Sequence, residues 1–174
     1  FVFARYLLGM CYYEQITDET KDLGSIIEAQ QNFQYVLKNH PNTDYAIDSE
    51  YKLELINEIL ASKEMYLANY YIEREKWIPA INRFKNVVEK YETTIYIEEA
   101  LHRLVEIHYK IGLIEESKKY AALLGYNYQS SDWYRESYKV FNKDYKKISK
   151  RKKNKKKNKI STLEKIKSLL RNEK

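Results

Sequence analysis

Apolar residues recur along this chain at three- and four-residue intervals, the spacing of amphipathic helices. The clearest run is Tyr45 to Arg74, where Ile56, Leu60, Leu67 and Tyr71 form one stripe and neither Gly nor Pro interrupts. This predicts a single helix of ~30 residues, ~45 Å long. Short polar stretches separate the apolar runs: Thr17 to Ser25, Asn39-His40-Pro41-Asn42-Thr43, Tyr91-Glu92-Thr93-Thr94 and Asn127-Tyr128-Gln129-Ser130-Ser131. Cap residues sit where the runs begin and end. Thr43 or Asp44 can accept from orphan N–H groups at the start of the long helix, Thr93 or Thr94 at the next, and Ser131 or Asp132 at a last one near Trp133. Glu98 and Glu99 lie favourably near a positive helix end, and Gly112 after Ile111 reads as a helix stop.

A repeat underlies these runs. Ala29-x3-Phe33 with Pro41 eight residues on is echoed by Ala80-x3-Phe84 with Glu92, and by Ser117-x3-Ala121 with Gln129. Upstream of each lies a partner element: Leu8-Gly9-x2-Tyr12, Leu67-Ala68-x2-Tyr71 and Leu104-Val105-x2-His108. These are the two halves of a tetratricopeptide helical hairpin. A small residue is wanted where its helices touch, so Val105 predicts a looser or differently angled third unit. Ala29 to Ala80 spans 51 residues and Ala80 to Ser117 spans 37, against an ideal of about 34. The long helix absorbs the first surplus, and the Thr17 to Ser25 loop extends the first hairpin. The fold class is therefore all-α: tetratricopeptide-like hairpins stacked as a short superhelical solenoid over 1–142. An unrelated helical bundle is the alternative.

Composition agrees: 44% hydrophobic residues supply a core, and only 4 Gly and 2 Pro argue against a turn-rich β protein. One Cys excludes an internal disulfide. Charge divides the chain in two. Residues 143–174 hold 15 Lys/Arg against 3 acids, a balance of +12, so the overall +6 leaves 1–142 at −6. The tail reads as a disordered, solvated extension, with a short amphipathic helix over 160–171 through Ile160, Leu163, Ile166 and Leu170. Attraction to nucleic acid or to anionic membrane is its alternative role. No aromatic follows Tyr145 and no recognition motif accompanies the lysines, so no nucleic acid is expected. Trp133, Tyr138, Phe141 and Tyr145 form an apolar side that closes the end of the array.

Nothing assembles a catalytic, metal or cofactor site. There is no H-E-x-x-H, no P-loop, no G-x-G-x-x-G and no G-x-S-x-G. His102 and His108 are six apart, on different helix faces. A binding protein without enzyme activity or cofactor is the reading.

Longer stretches carry a resemblance. They include Glu28-Ala29-x3-Phe33-x3-Leu37-x3-Pro41-Asn42-Thr43 and Leu60-Ala61-x-Lys63-Glu64. Others are Tyr70-Tyr71-x2-Arg74-x2-Trp77-x2-Ala80-x2-Arg83-Phe84 and Asn127-Tyr128 followed by Ser131-x-Trp133-Tyr134. With these, residues 1–142 resemble the BamD family, helical-repeat outer-membrane lipoproteins of the β-barrel assembly machinery of Gram-negative bacteria. Glu92 and Gln129 depart from it where the family pattern has Pro. The resemblance implies a scaffold on the periplasmic face of the outer membrane, holding the POTRA domain of the central barrel subunit and small lipoprotein partners. It also implies that repeats for outer-membrane protein substrates and a lipid-bearing Cys lie upstream, since Phe1-Val2-Phe3-Ala4-Arg5 reads like a helix interior. Met10 before Cys11 rules that Cys out as the lipid site. The family's docking arginine matches Arg83. Asn82 beside it and Tyr70, Glu73 and Arg74 at the hairpin tip complete the candidate partner-binding set. From the residues alone, Arg83 could equally pair within the chain, with Glu73 or Glu75. Tyr71 and Trp77 read as packing between helices, and Arg74 as a cation at the end of the long helix.

Overall fold

The computed structural model describes residues 1–16 and 23–142. Seven helices follow in order: α1 (Val2–Tyr13), α2 (Gly24–Asn39), α3 (Asp44–Glu73), α4 (Trp77–Lys90), α5 (Ile97–Lys110), α6 (Ile114–Asn127) and α7 (Asp132–Phe141). Among the described residues there is no strand. The Lys-rich segment 143–174, its expected helix over 160–171, and residues 17–22 of the polar loop lie outside the described residues. Each helix packs on the next, and α1 also touches α3 while α7 also touches α5. This is the all-α, tetratricopeptide-like stack expected.

Repeat positions carry the core. Ala29, Phe33, Ala80, Phe84 and Ser117 are all fully buried. Fully burying a phenylalanine side chain contributes about 3 kcal/mol. A Cβ at Gly9 would lie 2.8 Å from a ring carbon of Phe33, so α1 and α2 meet where only glycine fits. Three clusters result among the described residues, and two of them meet on α3. Ile26, Ala29, Phe33 and Ile56 form the first, with Leu53, Ile59 and Leu60 packed on it. Met65, Ala68, Ala80, Phe84, Ala100 and Leu104 form the second, with Tyr71, Ile72 and Trp77 packed on it. The 30-residue α3 serves both. Its buried face is made largely of small residues: Ala46, Ser49, Ala61 and Ala68 beside Ile56 and Met65. Leu60 and Tyr71 of the expected stripe lie at the margins. The surplus spacing is explained by α3. It is sixteen residues longer than the 14-residue α5, and the turn before it is two shorter, which gives the fourteen extra residues between repeats.

Several local expectations meet a different outcome. The first loop ends sooner than Ser25, because α2 begins at Gly24. Thr43 caps α3, its hydroxyl accepting from Ala46 N at 3.3 Å, and Ser131 caps α7 by accepting from Trp133 N at 3.1 Å. Neither Thr93 nor Thr94 caps α5. The helix starts later, at Ile97. The buried Thr94 hydroxyl donates to Tyr91 O at 2.7 Å. A carboxylate from α3 reaches this turn instead, Glu58 accepting from Ile95 N at 3.2 Å. The third hairpin is not looser despite Val105, and α5 and α6 are as extensively in contact as α3 and α4. Ala121 stands at the repeat position of Phe33 and Phe84. Ser117 Oγ donates to Val105 O at 2.8 Å and draws the two helices together. On α7, Tyr138 of the expected closing face is 51% exposed. That face uses Trp133, Tyr134 and the buried Ser137, with Phe141 edge-on to Tyr109. Tyr145 lies outside the described residues.

The α3–α4 and α5–α6 turns share one geometry. After α5, Gly112 at φ +88° donates to Tyr109 O and Leu113 N to His108 O, the paired bonds of a Schellman stop. After α3, Glu75 N donates to Ile72 O and Lys76 N to Tyr71 O in the same pattern. Here the left-handed residue is Glu75, at φ 57°, a conformation costly for any side chain with a Cβ.

Glu75→Gly is expected to raise unfolding stability by about 1 kcal/mol, seen as a higher urea midpoint at unchanged slope. Gly9→Ala is expected to lower it by about 1–3 kcal/mol, because the added methyl meets a fully buried ring. Equal midpoints for wild type and either variant would contradict this packing.

Candidate partner-binding site

The candidate residues fall into two groups. At the end of α3, the Arg74 guanidinium lies 3.4 Å from the Tyr70 ring centroid and donates from Nη1 to Tyr70 O at 3.2 Å. Arg74 thus stacks on an aromatic face and satisfies a helix-end carbonyl, as its position suggested. Tyr70 meets Tyr71 edge-on at 5.7 Å. Glu73 is exposed beside them. Tyr71 and Trp77 pack against the second core cluster.

The second group is on α4. Asn82 is exposed and Phe84 is buried, which leaves Arg83 at the seam with α3. Arg83 pairs within the chain, but with neither Glu73 nor Glu75. Its Nη1 lies 3.1 Å from Glu64 Oε1 and 3.3 Å from Oε2. Asn86 Nδ2 donates to Glu64 Oε2 at 3.1 Å. Burial raises the nearby Tyr91 phenol above its ordinary pKa, and the negative charge of Glu64 adds to that. Glu64 and Asn86 were absent from the candidate set. A signal for Glu64 existed: it shares the α4-facing stripe with Ala68 and Tyr71 at i, i+4 and i+7. A charge on such a stripe needs a partner across the seam.

A second polar arrangement joins α5 to α7. His102 Nδ1 lies 2.8 Å from Ser137 Oγ, and its Nε2 lies 3.4 Å from Glu106 Oε2. Carboxylate, imidazole and hydroxyl stand in the order used for acyl transfer. Ser137 is only 1% exposed, however, so its hydroxyl is closed to a substrate and acts as a link between helices. The Trp133 ring centroid lies 5.2 Å from that of His102, and the Arg103 guanidinium stands 5.8 Å from the Trp133 centroid. Arg103 pairs with Glu99 and Glu106. A groove beside this link, between Trp77 and Val140, is floored by Ile107 and edged by Lys110, whose Nζ lies 4.0 Å from the Trp77 centroid. Among the described residues no group of three or more His, Cys, Asp or Glu converges on a metal position. No described helix is long and apolar enough to cross a membrane.

Comparison with known proteins adds the following. The model of a family described as outer membrane lipoprotein, YfiO, matches residues 1–124. An outer membrane protein assembly factor BamD from Rickettsia prowazekii is 42% identical over 138 residues, 79% of this chain and 55% of the relative. One from Caulobacter vibrioides is 41% identical over 140 residues, 80% of this chain and 46% of the relative. One from Neisseria gonorrhoeae is 36% identical over 83 residues, 48% of this chain and 31% of the relative. The chain spans about half the length of the first two relatives. Helix α7, which carries the Ser137 end of the link, lies beyond the stretch that the family model matches.

The α5–α7 link has a pH signature. The Glu106 carboxyl is held below the ordinary glutamate range, first by the hydrogen bond from His102, against the opposing effect of burial, and then by the charges of His102 and Arg103. A depressed carboxyl contributes stability that is present above its unfolded pKa, ~4.3, and lost as pH falls through the folded value. Glu106→Gln is expected to cost about 0.5–1 kcal/mol at neutral pH, since the pair is part-exposed. That gap should close in acid, followed by urea unfolding at stepped pH. A gap independent of pH would count against the assignment.

Proposed function

The chain belongs to the YfiO family of outer membrane lipoproteins, and from that membership we propose that it is a non-catalytic scaffold for the assembly of outer-membrane β-barrel proteins. Its place is the periplasmic face of the outer membrane. It acts by docking on the POTRA domain of the central barrel subunit, with small lipoprotein partners alongside, so that barrel substrates are folded and inserted nearby. The relatives' name, assembly factor, supports the general role.

The observation that carries the docking reading is the state of Arg83. It is 37% exposed, anchored from behind by Glu64, and set on a helix whose buried face is rigidly packed. An arginine held at a surface by one edge is suited to a carboxylate on another protein. Asn82 is exposed on the same helix, and the Tyr70–Arg74 stack with Glu73 is exposed at the hairpin tip. Tyrosine and arginine are enriched where binding energy concentrates. Stacked hairpins supply the rigidity, each resting on its neighbours.

Arg83→Glu is expected to weaken docking on the central subunit by at least about tenfold, as truncating or reversing a buried interface charge does. Helical content should be unchanged by circular dichroism. Wild-type affinity in the reversed variant, measured by calorimetry, would remove Arg83 from the interface.

A further inference from the structure

Arg83 uses a single nitrogen toward the described residues. Both contacts to Glu64 are made by Nη1, at 3.1 and 3.3 Å. Glu64 is itself held a second time, by Asn86 Nδ2 at 3.1 Å, and its side chain is 17% exposed against 37% for Arg83. Nε and Nη2 have no acceptor among the described residues. A guanidinium carries five N–H donors in a flat fork, and the Nε–Nη2 edge offers two parallel ones. Fixing Nη1 therefore fixes the plane of the fork and leaves its side edge for another carboxylate. Asn86 and Arg83 are three residues apart on α4, so both reach the same carboxylate across the seam. This two-point hold also keeps Glu64 from turning toward the open edge.

Resting on the docking reading above, we propose that Glu64 and Asn86 are positioning residues, which hold the Arg83 guanidinium with its Nε–Nη2 edge free to receive a carboxylate of the partner side-on. The contrary arrangement is a decoy, in which Glu64 occupies Arg83 and competes with the partner. The two differ in the sign of one measurement. A decoy's removal tightens binding. Removal of a positioning residue weakens it, because the partner must then order a free side chain.

The test uses the full chain and the periplasmic domains of the central barrel subunit, with affinity read by calorimetry. Arg83→Ala is expected to bind at least about tenfold more weakly. Glu64→Ala is expected to bind about fivefold more weakly and Asn86→Ala about twofold, the cost of re-ordering one long side chain. In the Arg83→Ala background, Glu64→Ala should change affinity no further. Glu64→Gln keeps the side-chain volume if the alanine variant does not fold, and its affinity should fall between wild type and Glu64→Ala. Unchanged or tighter binding by the Glu64 variants, beside a weakened Arg83→Ala, overturns the proposal. So does an undiminished Glu64 effect in the Arg83→Ala background, which marks a general structural role. Unchanged binding by Arg83→Ala itself overturns the docking reading instead.

Discussion

One helix belongs to two hydrophobic cores, and the architecture depends on that sharing. The N-terminal half of α3 closes the cluster around Phe33 through Ile56. Its C-terminal half closes the cluster around Phe84 through Met65 and Ala68. An isolated helical hairpin cannot bury its own apolar face, and stacking removes the exposed surface. In most such arrays the stacked units are separate helices. Here an unbroken hydrogen-bonded ladder of 30 residues joins two units, so neither can shift without carrying the other. Small residues make the arrangement possible: Ala46, Ser49, Ala61 and Ala68 let three neighbouring helices approach the same rod.

Polar chemistry is placed at the seams this packing creates. Glu64 to Arg83, His102 to Ser137 and Ser117 to Val105 O each cross from one helix to its neighbour. A half-buried polar group needs a partner, and in these three cases the partner lies on another element. Such bonds fix azimuth and axial position where apolar packing alone tolerates sliding. The last hairpin gains most. Helix α7 is short, and it is held by Trp133 against Ile97, Leu101 and Leu124, by the His102 link, and by the Ser131–Glu98 bond. Gly125 lets the Tyr134 ring lie directly on α6.

Features that depend on local chemistry were legible in the chain. Thr43 and Ser131 as caps, Gly112 as a stop, and the Ala29, Phe33, Ala80 and Phe84 positions all follow from spacing and side-chain type. What escaped depends on atoms distant in sequence. Glu75 adopts a glycine conformation in a turn closed by the Ile72 and Tyr71 carbonyls, and nothing in the local residues announces that. Thr94 loses its cap role because α5 begins only at Ile97, and Glu58, 37 residues away from Ile95, reaches into the same turn. Val105 looked oversized beside Gly9 and Ala68 of the other units, yet Ser117 Oγ reaches its carbonyl. For Arg83, the distinction between a solvated and an anchored side chain rests on Glu64, which lies 19 residues upstream. The expectation named carboxylates near the turn because they are near in sequence. The fold supplied one from the middle of the helix.

The continuity of α3 has a metric consequence. Ile56, seated in the first core, and Glu64, anchoring Arg83, are rigidly related by eight residues of one helix. That is about 12 Å of advance and about 80° of rotation. Anything gripped at Arg83 is thereby indexed to the α1–α2 hairpin as if by a graduated rod. Along one uninterrupted rod, the Arg83 surface and the first hairpin keep a fixed offset.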